Sequence, residues 1–188
     1  MLIGLIILGL VVVGLLWGVA IYNGLVRLRA LVKEGFSGIT VQLRRRADLI
    51  PNLVSTVEGY ATHEREVLSQ VTAHRADAVQ GGSVAATAQA DMAMTGMLGR
   101  LMAVAEAYPD LKANENFQQL QSELTEIEDS LQSARRYYNA TVRDLNTKIQ
   151  SFPDVLVARP MGFTEEEFYT DTDSSIQSAP VVKFGAKA

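Results

Sequence analysis

The sequence predicts an all-α protein: an N-terminal transmembrane helix continuing into an antiparallel bundle of three long helices plus a short C-terminal helix. Three observations predict it. Leu2 to Tyr22 carries no charged residue. Apolar residues then recur every three or four positions, first from Leu25 to Val71 and again from Phe117 to Phe152. Between these stretches fall two breaks, Gln80-Gly81-Gly82-Ser83 and Tyr108-Pro109-Asp110. Three-and-four spacing stacks side chains on one face of an α-helix, whereas a strand alternates.

Composition sets the outer limits. With 48% hydrophobic and 20% charged residues, the chain is neither disordered nor a polytopic membrane protein. Seventeen basic against 21 acidic residues give −4, which argues against nucleic acid as the main partner. Absence of cysteine excludes disulfides, thiolate metal sites and cysteine nucleophiles. A length of 188 residues fits one domain with appendages: an anchor over 1–22, a helical bundle over 23–169 and a tail over 170–188.

The anchor comes first. Leu2–Tyr22 is long enough to cross roughly 30 Å of hydrocarbon. It lacks the basic start and the small-residue cleavage site of a signal peptide, so a retained anchor is expected. Trp17 and Tyr22 sit where amphipathic rings favour the interface, and Arg27, Arg29, Lys33 and Arg44 to Arg46 follow on that side. The positive-inside rule therefore places the N-terminus outside and the bundle in the cytoplasm of a bacterial inner-membrane protein. Gly14 and Gly18 form a small-xxx-small pair suited to close helix approach in lipid.

Leu25, Leu28, Val32, Phe36, Ile39 and Leu43 carry the stripe out of the bilayer. Pro51 removes a backbone donor, so a kink is expected near Ala47 to Ile50. A kinked helix reaching about Val79 is favoured over two helices capped at Ser37 or Asp48. Within it, VQLRRRADLIPNLVSTVEGYATHE (Val41 to Glu64) departs from plain bundle patterning. Its core stripe (Leu43, Ile50, Leu53, Val57, Tyr60) also carries Arg46 and Glu64. A charge on a buried stripe is costly unless paired. The two residues are about 27 Å apart along one helix, so each needs a partner elsewhere: a glutamate or Asp144 for Arg46, an arginine for Glu64. Both are expected to be register-setting interhelical contacts.

Ser83 is a candidate N-cap for a helix from Val84 to Ala107. Its methionines (Met92, Met94, Met97, Met102) read as adaptable core packing, because no His or Cys accompanies them as copper ligands would. Tyr108-Pro109 ends that helix. Asn114 caps the next, whose stripe runs Phe117, Leu120, Leu124, Ile127, Leu131, Ala134, Tyr138, Val142, Leu145, Ile149 and Phe152. That is about five coiled-coil-like heptads. Asn139 and Asn146 share a face one heptad apart. They are either solvent-exposed or polar layers fixing register against the first helix. Beyond Pro153 the pattern dissolves. Val155 to Val157, Phe163, Phe168 and Tyr169 are expected to pack back on the bundle, with Thr164 capping a short turn at EEEFY.

Four segments in order, YNGLVRLR from Tyr22, VQLRRRADLIPNLVSTVEGYATHE from Val41, AYPDLKANENFQQLQSEL from Ala107 and ARRYYNATVRDLNTKIQSFPDVLVA from Ala134, closely resemble the LemA family of bacterial membrane-anchored helical proteins. The resemblance spans Tyr22 to Ala158, and more loosely to Tyr169. It implies an N-terminal anchor and an antiparallel bundle of long helices, and it implies no catalytic activity. Phe36 stands where the family usually has tryptophan. Some relatives carry a lipobox cysteine before the Tyr-Asn pair and are exported. Ile21 closes that route here, although such relatives leave a periplasmic bundle open.

Chemistry is sparse. His63 and His74 lie eleven apart, and HEREV lacks the second histidine of a zinc-protease helix. No nucleophile triad, phosphate loop or paired-carboxylate set is visible. No catalytic residue, cofactor or metal is expected. The expected function is a non-catalytic scaffold that self-assembles in the membrane, with Gly14, Gly18, Arg46, Glu64, Asn139 and Asn146 as oligomer or interhelical contacts. Spare apolar positions such as Leu31, Val54 and Leu111 support it. The alternative is an adaptor that presents clients to, or regulates, another membrane protein such as a protease, with the tail docking. Membrane lipid, further copies of the chain and a membrane protein are the expected partners; an unrecognised hydrolase is disfavoured.

Overall fold

A computed structural model describes residues 1–61, 69 and 82–170. Five helices lie within them: α1 (Leu2–Glu58), α2 (Val84–Glu106), α3 (Pro109–Lys112), α4 (Glu115–Gln150) and α5 (Val155–Ala158). The chain is all-α, with one long apolar N-terminal helix.

α1 is one helix of 57 residues, roughly 85 Å at 1.5 Å per residue. Its first part is long and apolar enough to cross a membrane, and none of its most apolar window is buried by the rest of the chain. From Ile21 onward the same helix becomes core, burying Ile21, Leu25, Val32, Ile39, Leu43, Ile50, Leu53 and Val57. Pro51 lies inside the helix without interrupting it and is exposed, so its ring projects towards water. The helix stops at Glu58, short of the Val79 expected from periodicity. Low-propensity Gly59 follows, and the Tyr60 and Ala61 amides both turn back onto the Val57 carbonyl, at 3.0 and 2.8 Å. The continuation through Leu68 and Val71 lies outside the described residues.

α1 and α4 pair antiparallel, since Gly24 faces Lys148, Gly35 faces Tyr138 and Gly38 faces Ala134. This register brings the end of α4, Gln150, level with Tyr22, where the apolar span begins. The capping expectations have their structural counterparts: Ser83 Oγ accepts from the Ala86 amide at 3.2 Å and Asn114 Oδ1 from the Phe117 amide at 3.1 Å. Each satisfies one of the orphan donors at a helix start.

The core has two parts. A membrane-proximal part joins Leu25, Ile39, Leu43, Leu131, Tyr138, Val142 and Leu145 to Phe163 and Tyr169 of the C-terminal segment. A distal part joins Ile50, Leu53 and Val57 to Met94, Leu98, Leu101, Leu111 and Phe117. Met94, Met97 and Met102 of α2 pack in or against this distal part. Leu111 is fully buried there and Val54 packs against it, so neither is the spare apolar position that the sequence suggested; Leu31 is half-buried. Tyr60 leaves the stripe at 40% exposure, its hydroxyl accepting from Asn114 Nδ2. Phe152, last of the α4 stripe, is 80% exposed because the helix has already ended at Gln150.

Candidate functional site

Between the two cores sits a layer of charge. On α1 the proximal core ends at Leu43 and the distal one begins at Ala47; on α2 the corresponding break falls between Ala88 and Met94. Arg46 and Asp91 occupy those gaps, with 4% and 1% side-chain exposure. Arg46 Nη1 donates to Asp91 Oδ1 at 3.1 Å and to Thr95 Oγ1 at 3.0 Å. Its Nη2 pairs with Glu128 Oε2 at 3.0 Å. Arg135 Nη2 also donates to Asp91 Oδ2, and the same oxygen accepts the Tyr169 hydroxyl at 2.7 Å.

The Asp91 carboxylate thus ties α1, α2, α4 and the C-terminal segment together. Two guanidinium groups face two carboxylates, so the layer is formally neutral, which is what lets it lie between apolar cores. Both oxygens of Asp91 accept from groups within the hub, and among the described residues no cluster of His, Asp or Glu is suited to a metal ion. His63, His74 and Glu64 lie outside the described residues.

Beside the hub runs the strap, residues 163–170, which has no helical turn. Asn146 Oδ1 accepts from the Glu166 amide and its Nδ2 donates to the Glu166 carbonyl, both at 2.9 Å. Asn139 repeats this with Tyr169, at 2.8 Å from its amide and 2.9 Å to its carbonyl. The Tyr138 hydroxyl donates to the Glu167 carbonyl at 2.7 Å. Each asparagine pairs with one residue's N–H and C=O as a neighbouring strand would.

Geometry explains why no Thr164-capped turn forms. Seven helical residues separate the asparagines, about 10.5 Å at helical rise. The three steps from Glu166 to Tyr169 span about 10 Å only if extended. Asn139 and Asn146 therefore do share a face, but they hold the strap rather than α1.

Aromatic contacts seat the strap at both ends. Phe163 meets Tyr22 edge-on at 5.7 Å and lies under the Arg29 guanidinium at 4.5 Å. Tyr169 lies under Arg135 at 5.6 Å. Burial, then the Glu166 and Glu167 carboxylates, push the Tyr138 hydroxyl up to about 12 from 10.0. Burial and the hydrogen bond to Asp91 raise Tyr169 too.

A folded-state value above the unfolded one means stabilisation complete below pH 10 and lost as pH rises through about 12. Melting temperature is therefore expected to fall across that window. Replacing Tyr138 and Tyr169 by phenylalanine should flatten the decline, as read by melts over an alkaline pH series.

The remaining sequence candidates are placed differently. Gly14 and Gly18 border a groove of about 450 Å³ whose far wall is Leu156, Val157, Pro160 and Met161, and a Cβ on either would meet nothing within 4 Å. Asp144 is 61% exposed beside Arg143, at 3.8 Å, and takes no part in the hub; Glu128 is the glutamate that reaches Arg46. Sequence reasoning missed Asp91 and Arg135; it placed Tyr169 against the bundle, where it is buried, but missed its hydrogen bond to Asp91. Asp91 left little signal, since it lies on a mixed face of α2 beside Thr87 and Ala88 and not on a strong apolar stripe such as the one Arg46 breaks.

The chain is 25% identical over 174 residues to magnetosome protein MamQ of Magnetospirillum gryphiswaldense, covering 79% of this chain and 64% of that one. It is 26% identical over 176 residues to magnetosome protein MamQ 2 of Paramagnetospirillum magneticum, covering 80% and 65%. It is 28% identical over 144 residues to Protein LemA of Metamycoplasma hominis, covering 74% and 64%. The chain thus spans a little under two thirds of the length of these curated relatives. Together with the apolar N-terminal helix, these similarities support association with a membrane. The LemA family model matches residues 35–184, most of the length, and the chain belongs to the LemA family.

Proposed function

We propose that the protein is a non-catalytic, membrane-anchored scaffold that self-assembles in the plane of the membrane. The observation that carries this is the continuity of α1, in which the apolar span and the central core helix are one element. A body joined to its anchor by a helix rather than a linker is oriented by the bilayer, so copies meet in a common orientation. Val26, Val41 and Tyr137 leave apolar surface exposed on the body, at 44%, 52% and 44%, available to neighbouring copies. The Gly14–Gly18 face adds a second surface in the span. The ion pairs of the hub join α1, α2 and α4. The basic residues that follow the span favour an inner-membrane protein with its bundle in the cytoplasm.

The test is the mass of the detergent-extracted protein by light scattering corrected for detergent. A single discrete assembly is expected, and a monomer would overturn the scaffold. Deleting Thr170–Ala188 separates this reading from an adaptor whose tail docks a client or a membrane protease. Assembly should survive the deletion, whereas an adaptor would lose its partner in pull-downs from membranes.

A further inference from the structure

The turn that follows α4 is unusually apolar for a surface segment. Phe152, Leu156 and Met161 are 80%, 61% and 61% exposed. Leu156 and Met161 do not face an arbitrary surface. Leu156, Val157, Pro160 and Met161 stand across the groove from Gly14, Leu15, Gly18, Val19 and Tyr22, which are residues of the membrane span. From Tyr22 back to Gly14 is about 12 Å along the helix, so the turn reaches past the end of the charged bundle and down beside the span.

We propose that the turn from Phe152 to Met161 is a membrane-inserting surface that seats Phe152, Leu156 and Met161 among the acyl chains of the leaflet from which α1 emerges. The inference rests on the membrane association of α1 and adds a second, lateral attachment to it.

Acyl chains are the occupant that the structure favours, for two independent reasons. The first is continuity: one wall of the groove is the span itself, so the groove lies at the depth of the acyl chains. The second is backbone chemistry. Lipid tolerates a non-spanning segment only if its polar backbone groups are satisfied within the protein. The amides of Val155 to Arg159 and of Met161 to Phe163 donate within the segment or to Ser151, at 2.8–3.3 Å, and Pro153 and Pro160 have no amide hydrogen; the Phe152 and Asp154 amides, at the start of the turn, have no such partner and are placed at the headgroup level.

The charged side chains are also accommodated. Asp154 is paired with Lys148 at 2.9 Å, and exposed Arg159 has the reach to extend its guanidinium to the phosphate level. A depth of roughly 5–10 Å is what an interfacial apolar segment takes up, and the turn's reach of about 12 Å along α1 is slightly deeper.

The test places a reporter in the full-length chain. Trp17 is the one tryptophan, so a W17F background carries Phe152→Trp or, separately, Met161→Trp. Each is reconstituted in vesicles of phosphatidylcholine and phosphatidylglycerol, with or without bromine on the acyl chains. Both positions are more than half exposed, so the larger ring costs no packing. The expected result is loss of most emission to brominated lipid and little loss to aqueous iodide, at both positions. Emission quenched by iodide and not by bromolipid at either position would show a water-facing turn and overturn the proposal. Shielding from both quenchers would show a protein-covered turn and overturn it equally. Failure to incorporate into vesicles at all would instead refute the anchor, a separable outcome.

Discussion

Asp91→Ala is expected to destabilise the bundle by roughly 3–5 kcal/mol, the usual consequence of removing one partner from a buried ion pair. The cost is not the lost attraction alone. With the carboxylate gone, Arg46 stays at 4% exposure and the layer passes from neutral to a net positive charge, because one of its two carboxylates is lost. Tyr169 loses its acceptor at 2.7 Å, and with it one of the contacts that close the strap. Melting of the detergent-solubilised protein, followed by far-UV circular dichroism, should shift down on the order of 10 °C for a chain of this size.

The informative partner is the coordinated replacement Arg46→Met, Asp91→Leu, Arg135→Leu and Tyr169→Phe. Well-packed apolar groups in place of a buried charge network are often neutral or stabilising by about 1–4 kcal/mol. A network that specifies register would then reveal itself as a variant that melts no lower yet assembles heterogeneously. If Asp91→Ala melts like the unaltered protein, the hub does not hold the four elements together as described.

The hub also shows what a sequence conceals. Arg46 was legible because it interrupts strong apolar neighbours, Leu43 and Ile50, on an otherwise continuous stripe. Asp91 was not, because its helix face reads Thr87, Ala88, Asp91, Met94 and Leu98, small and mixed enough that one more polar residue carries little contrast. The strap was harder still. Asn139 and Asn146 announce a shared face by their spacing, but their partners are the backbone groups of Glu166 and Tyr169, and backbone has no side-chain signature. An acidic run, Glu165 to Glu167, reads locally as the first turn of a helix, while contacts twenty or more residues away in the chain pull it straight. The caps at Ser83 and Asn114, by contrast, depend on groups three residues away, which is why they could be read directly.

Gly35 and Gly38 are expected to respond to alanine with opposite signs, and Gly35→Leu to give the largest loss of packing at any glycine in the bundle. Both residues lie in α1, where alanine gains about 1 kcal/mol over glycine in helix propensity. At Gly38 the new methyl would sit 3.9 Å from the Ala134 Cβ, an ordinary contact, so the propensity gain survives and melting temperature rises. At Gly35 it would lie 3.0 Å from the Cα of Tyr138 and 3.3 Å from the ring of Tyr137. The first of these is α4 backbone, which cannot yield without moving the helix. Overpacking of this kind costs typically about 1–3 kcal/mol, enough to reverse the sign. A leucine extends the clash beyond what a local shift absorbs. It would separate α1 from α4 beside Tyr138, the largest fully buried side chain, and would move the Tyr138 hydroxyl away from the Glu167 carbonyl it holds at 2.7 Å. Gly35→Leu should therefore lower the melting temperature and expose the strap to amide hydrogen exchange together. A variant that melts lower while residues 163–169 stay protected would mean that strap and helix pair are not coupled through Tyr138.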